Sequence, residues 1–121
     1  MTIWENYAPD SITPGSNSRP DFVGWSGIAP ITFFIEHAIG VKADAPNNTI
    51  EWVIQSEDRV GIEDFWFGEN TVDMICGKAD KKGRREVRVT GKDRPFDLVI
   101  RYGDKLVEKK ILRGKQVRMV I

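Results

Sequence analysis

From Ile50 to the end of the chain, apolar and polar residues alternate with a period of two. Ile50, Trp52 and Ile54 open the series, followed by Ile62, Phe65 and Phe67, then Val72, Met74 and Cys76. Val87 and Val89, then Phe96, Leu98 and Ile100, then Leu106 to Leu112, and finally Val117, Met119 and Ile121 continue it. Gly68-Glu69-Asn70, Lys82-Gly83, Gly91-Lys92-Asp93, Gly103-Asp104 and Arg113-Gly114 interrupt these runs with residues that suit reversals. Such runs predict about seven short strands in an antiparallel β-sandwich, each sheet with a dry and a wet face. Gly103-Asp104, between two alternating runs, is a two-residue hairpin signal. In Phe65-Trp66-Phe67, neighbouring rings of a strand point to opposite faces, which favours core rings plus one exposed or interface ring. The competing reading makes Trp52, Phe65, Trp66 and Phe67 the platform of a carbohydrate-binding module.

Upstream the pattern changes. Ile28 to Ile39 predicts a helix, with Ser26 as its N-cap, Pro30 tolerated in the first turn and Gly40 as a left-handed terminator. Its apolar residues, among them Ile28, Ile31, Phe33, Phe34, Ile35 and Ile39, spread around nearly the whole circumference. A helix apolar all round expects burial all round. In a small chain that is otherwise β, one sheet face is all that is on offer, so partners are missing. Each Phe or Ile left in water forgoes roughly 1.5–3 kcal/mol, and the isolated chain is expected to form a homo-oligomer. Residues 8–27 hold Pro9, Pro14, Pro20, Gly15, Gly24 and Gly27 and read as a long loop, packed down by Phe22, Val23 and Trp25. Val41 to Asn48, with Pro46-Asn47-Asn48 as its turn signal, reads as a linker.

A length of 121 residues with 40% hydrophobic content allows one domain, or a domain plus a remnant. Eighteen basic and eighteen acidic residues cancel, which argues against a nucleic-acid partner. The local cluster Lys81, Lys82, Arg84 and Arg85 reads as a solvated turn. Cys76 is the lone cysteine and reads as an inert core thiol. His37, the lone histidine, has no second ligand at metal-binding spacing and reads as a helix-surface or packing residue; no metal and no cofactor are expected. There is no basic segment leading into an apolar one at the start, and no apolar run long enough to span a bilayer. The chain is expected to be soluble with no membrane partner.

The candidate chemistry lies in Trp4-Glu5-Asn6-Tyr7-Ala8-Pro9-Asp10, where a glutamate sits between aromatic residues in a stretch too irregular for a strand. Sugar rings stack their C–H faces on aromatic rings while carboxylates, amides and guanidinium groups bond the hydroxyls. Trp4, Glu5, Asn6, Tyr7, Arg19 and Trp25 therefore form a candidate saccharide site. Trp25 has a second reading, a hydrophobic plug at the start of the helix, and both stay open.

Trp4 to Asp10, Gly24-Trp25-Ser26-Gly27 and the helix after them resemble the C-terminal end of the catalytic domain of six-hairpin (α/α)6 toroid glycosidases. That group, glycoside hydrolase families 37 and 63, contains trehalases, processing α-glucosidases and mannosylglycerate hydrolases. Asp44-Ala45-Pro46, Ile50-Glu51-Trp52 and Gly61-Ile62-Glu63 are similar, less specifically, to the β-rich tail of bacterial members. The resemblance implies that residues 1–43 end a helical catalytic domain and that 44–121 form a C-terminal β-sandwich module. It implies inverting hydrolysis of an O-glycosidic bond in a small α-linked saccharide, with Glu5 as the general base and Trp4, Asn6, Tyr7, Arg19 and Trp25 as substrate-binding residues. Inversion needs a second carboxyl, the general acid, about 6.5–9.5 Å from the base. No segment matching the acid is present, and neither Asp10 nor Asp21 holds its place. Nor can 121 residues contain a twelve-helix toroid. The chain is thus expected to be a C-terminal fragment, inactive alone; the alternative is a non-catalytic β-sandwich module for carbohydrate binding or oligomerisation.

Overall fold

The computed structural model describes residues 8–11, 13, 15 and 24–121, Trp25 by its backbone alone. It divides into two units, residues 1–35 and 36–121. In the first, the Ala8 N–H donates to the Thr13 carbonyl at 3.0 Å, and the Ser11 and Thr13 hydroxyls share a 2.7 Å hydrogen bond. A 3-10 turn, Gly24–Gly27, leads into helix α1, Ile28–Phe33, with Pro30 in the first turn. The N-cap is Gly27 and not Ser26, because the 3-10 turn runs straight into the helix and displaces the expected start. Ile28, Ile31, Phe33 and Phe34 are 54–62% exposed.

From Phe34 the coil widens into a π-helical segment, Phe34–Ile39, and stops where the sequence pattern places the terminator. Gly40 has φ +87°, and a Cβ there would lie 1.9 Å from the Val53 carbonyl oxygen. The Val53 N–H donates to the Gly40 carbonyl at 2.8 Å, so only glycine fits this approach of helix end to strand.

Eight strands follow: β1 (Val41–Asp44), β2 (Thr49–Val53), β3 (Val60–Phe67), β4 (Asn70–Cys76), β5 (Glu86–Gly91), β6 (Phe96–Tyr102), β7 (Lys105–Ile111) and β8 (Gln116–Val120). They make a mainly β, sandwich-like fold of two four-stranded sheets, ordered β1-β2-β6-β7 and β3-β4-β5-β8. The seven alternating runs are all strands. The eighth, β1, lies in the expected linker; only Val41 of its four residues is buried, too little to show a period. It forms because the Ala45–Asn48 turn folds it antiparallel onto β2. A second difference is that β2 and β6 pair in parallel, while every other pair is antiparallel. The β6–β7 hairpin turns through Gly103-Asp104 as expected, with Gly103 at φ +55°.

The dry faces supply the core: Val41, Ile50, Trp52, Phe96, Leu98, Ile100 and Ile111 from one sheet, and Phe67, Val72, Met74, Cys76, Val87 and Val89 from the other. Phe67 and Phe96 meet edge to face across the sheets, with ring centroids 5.5 Å apart. Trp52 is fully buried and its indole N–H donates to the Ile39 carbonyl at 2.9 Å. It belongs to the core and not to a binding platform.

Candidate functional site

Of the six candidate saccharide residues, Trp4, Glu5, Asn6, Tyr7 and Arg19 lie outside the described residues, and Trp25 is placed by its backbone in the 3-10 turn. His37 stands exposed on the π-helical segment. Among the described residues no group of three or more His, Cys, Asp or Glu side chains could hold a metal ion. Cys76 is fully buried, and burial pushes its thiol up despite the opposing charge of Arg85.

The β-module carries polar constellations of its own. The first surrounds a bulge in β3, where the register with β4 shifts between Ile62 and Phe65. Asp64, inside the bulge, has φ +53°, an uncommon backbone for a residue with a side chain. Its N–H donates to Asp73 Oδ1 on β4 at 2.8 Å, which gives the extra residue a partner outside the ladder. Lys92, just after β5, places its ammonium against Asp73 Oδ1 at 2.8 Å and against the Asp64 carboxylate. Burial alone would raise the Asp73 carboxyl, but the Asp64 N–H and the Lys92 ammonium outweigh it and hold it below its ordinary value. The two carboxylates push the Lys92 ammonium up to about 12.

Beside this cluster Trp66 stands 78% exposed, between buried Phe67 and half-buried Phe65. The strand period accounts for it: core rings on one face, a single exposed ring on the other. Strand pairing sets Trp66 opposite Thr71 on β4. Sequence reasoning had singled out Trp66 but none of Asp64, Asp73 and Lys92. The available signal was Glu63-Asp64, two polar residues in succession where alternation asks for one, which is the mark of a bulge.

The second constellation is a cleft of about 560 Å³ where the β1–β2 and β3–β4 turns meet the loop before β6. Its polar groups serve each other. Asn48 Nδ2 donates to the Pro95 carbonyl at 2.7 Å, and Asn70 Nδ2 to the Arg94 carbonyl at 2.9 Å. Asn70 Oδ1 accepts the N–H groups of Asp93 and Arg94 at 3.2 Å, and Arg94 pairs with Glu69. This is a clasp between loops.

The basic cluster divides. Lys81, Lys82 and Arg84 are exposed around Asp80, which accepts the N–H groups of Lys82 and Arg84 at 2.8 and 2.9 Å, a solvated turn as read. Arg85 corrects that reading, being 1% exposed. Its guanidinium donates to the Gly77 carbonyl at 2.8 Å and to the carbonyls of Ser56 and Asp58, and lies 5.4 Å from the centre of the Tyr102 ring. The strand that begins at Glu86 fixes this: Val87 and Val89 face inward, and Arg85, two residues before Val87, points the same way.

No family model matches the chain, and no solved structure matches it. An uncharacterized protein of Borreliella burgdorferi is 28% identical over 86 residues, covering 65% of this chain and 18% of that protein. The chain thus spans less than a fifth of the length of this relative. Among the described residues no helix is long and apolar enough to cross a membrane.

Proposed function

We propose that this chain is the C-terminal part of an inverting glycoside hydrolase of the trehalase and α-glucosidase kind, acting on a small α-linked saccharide. The observation that carries the reading is the Trp4-Glu5-Asn6-Tyr7-Ala8-Pro9 segment together with Gly24-Trp25-Ser26-Gly27 at the start of a helix. Glu5 is the general base: as a carboxylate it takes a proton from water as the water attacks the anomeric carbon. Trp4, Tyr7 and Trp25 stack on the sugar, while Asn6 and Arg19 bond its hydroxyls. The general acid comes from a segment outside this chain, across the gap that inversion requires.

Two further observations support a missing body. Helix residues Ile28, Ile31 and Phe34 present large apolar side chains to water, and the relative from Borreliella extends far beyond the aligned region. In isolation the same helix drives self-association of the chain into a homo-oligomer.

The test is glycosidase activity of the upstream-extended reading frame on a panel of α-linked disaccharides, wild type beside Glu5→Gln. Glutamine keeps the shape and cannot take the proton. Cleavage with inversion, lost by on the order of a thousandfold or more in a folded Glu5→Gln enzyme, is the expected result. Equal activity of the two proteins, or the lack of any extension, would overturn the assignment.

A further inference from the structure

The geometry points to a saccharide site made of β-module residues alone: the outer face of the β3-β4-β5-β8 sheet, where Trp66 is a stacking platform and Asp64, Asp73 and Lys92 bond the hydroxyls of a neutral oligosaccharide. This inference does not depend on the role given to Glu5, since every residue of the site lies in the β-module.

The platform comes first. Trp66 presents most of its indole to water at 78% exposure, near the end of a strand that is paired on one side only. Its neighbours Phe65 and Phe67 turn toward the core and fix the backbone, so the ring is carried by a rigid element. A flat apolar ring next to hydrogen-bonding groups suits a ligand with an apolar face and a hydroxylated rim. A pyranose is such a ligand.

The hydroxyl partners follow from pairing. Thr71 lies opposite Trp66, and Asp73, two residues along β4, is its diagonal neighbour at about 7–8 Å. Asp73 in turn meets Asp64 through the bulge and Lys92 through the ammonium. The mutual bonds hold these three side chains in place before any ligand arrives, which lowers the ordering cost of binding. Asp64 remains 80% exposed, so its carboxylate keeps lone pairs for sugar hydroxyls. A shallow depression of about 170 Å³ adjoins the cluster at Asp73, with Glu63, Arg88, Thr90 and Gln116 in its lining. It has room for a single sugar ring.

Charge narrows the ligand class. Three carboxylates, Asp64, Asp73 and Glu63, and three cations, Lys92, Arg59 and Arg88, lie in the cluster and the depression beside it, so this face carries no net charge to attract a phosphate, a nucleic acid or an acidic polysaccharide. A neutral oligosaccharide needs no such attraction and uses both acceptors and donors.

Isothermal titration of the 121-residue chain with hexasaccharides of α-1,4-glucan, β-1,4-glucan and mannan tests the site. At least one is expected to bind with a dissociation constant below about 1 mM, and Trp66→Ala to weaken it about tenfold or more. Trp66→Phe should keep part of the affinity, and Asp64→Asn and Lys92→Met should lose severalfold. Since Trp66 is exposed, the folded state survives its removal, which circular dichroism checks. Failure of every hexasaccharide to bind overturns the inference, as does equal affinity of wild type and Trp66→Ala. A Trp66→Ala effect confined to self-association, with no sugar binding, would assign the ring to a protein contact and overturn it as well.

Discussion

Replacing Arg85 with methionine removes a buried cation while keeping an unbranched side chain in its place. Arg85 is 1% exposed, and its fork donates to three backbone carbonyls, those of Gly77, Ser56 and Asp58, under the face of Tyr102. Hydrogen bonds from a charged group contribute roughly 1.5–3 kcal/mol each, and the ring contact roughly 0.5–2 kcal/mol. Those figures set an upper bound, since methionine also avoids the desolvation of a cation, and Ser56 and Asp58 lie in an exposed loop where their carbonyls can turn to water. The Gly77 carbonyl has less freedom, because the Gly77 N–H is bonded to Glu86 at 2.8 Å. A net loss of about 3 kcal/mol is expected, which at ordinary urea sensitivity lowers the unfolding midpoint by about 1–2 M. Urea titration followed by circular dichroism measures it. Arg84→Met is the control: that side chain is exposed and bonded to Asp80, and its loss should leave the midpoint nearly unchanged. An Arg85→Met protein as stable as wild type would refute the reasoning, by showing that burial of the cation costs as much as its bonds contribute.

Two further perturbations follow from the same geometry. Gly40→Ala would put a Cβ 1.9 Å from the Val53 carbonyl oxygen at φ +87°, and should cost on the order of 3–5 kcal/mol in a urea titration. Gly83→Ala, with φ +73° but open space around it, should cost only about 1 kcal/mol; equal costs would show that φ and not the close approach governs Gly40. The ion cluster predicts a pH dependence. Asp73 has a carboxyl held below its ordinary 3.8 in the folded state, so its contribution is present above that value and lost as pH falls below it. Lys92, raised from 10.5 to about 12, contributes below 10.5 and loses that contribution as pH rises toward 12. Asp73→Asn should therefore flatten the acid limb of the urea midpoint against pH, and curves parallel to wild type would refute the assignment.

Features written in local periodicity were legible without coordinates. Seven strands, the Gly103-Asp104 hairpin, the extent of the helix, its end at Gly40 and the burial of Cys76 each follow from a few neighbouring residues, because side-chain direction repeats every two positions in a strand. Phe65-Trp66-Phe67 belongs with them, since alternation alone leaves one ring outside. The proposed Glu5 site rests on a pattern of residue types alone, and five of its six candidate residues lie outside the described residues.

Tertiary structure decided what depends on residues far apart in the chain. Strand β1 exists because β2 offers it an edge, not because its own residues alternate. The parallel pairing of β2 with β6 joins segments more than forty residues apart, and no local signal encodes that direction. Arg85 looked like one more charge in a solvated turn until carbonyls from residues 56, 58 and 77 closed around it. The cluster of Asp64, Asp73 and Lys92 is likewise assembled from β3, β4 and the residue after β5. A sequence fixes which way a side chain points along its own strand. Which charges it meets there is fixed by the pairing of strands, a long-range equilibrium over the whole sheet.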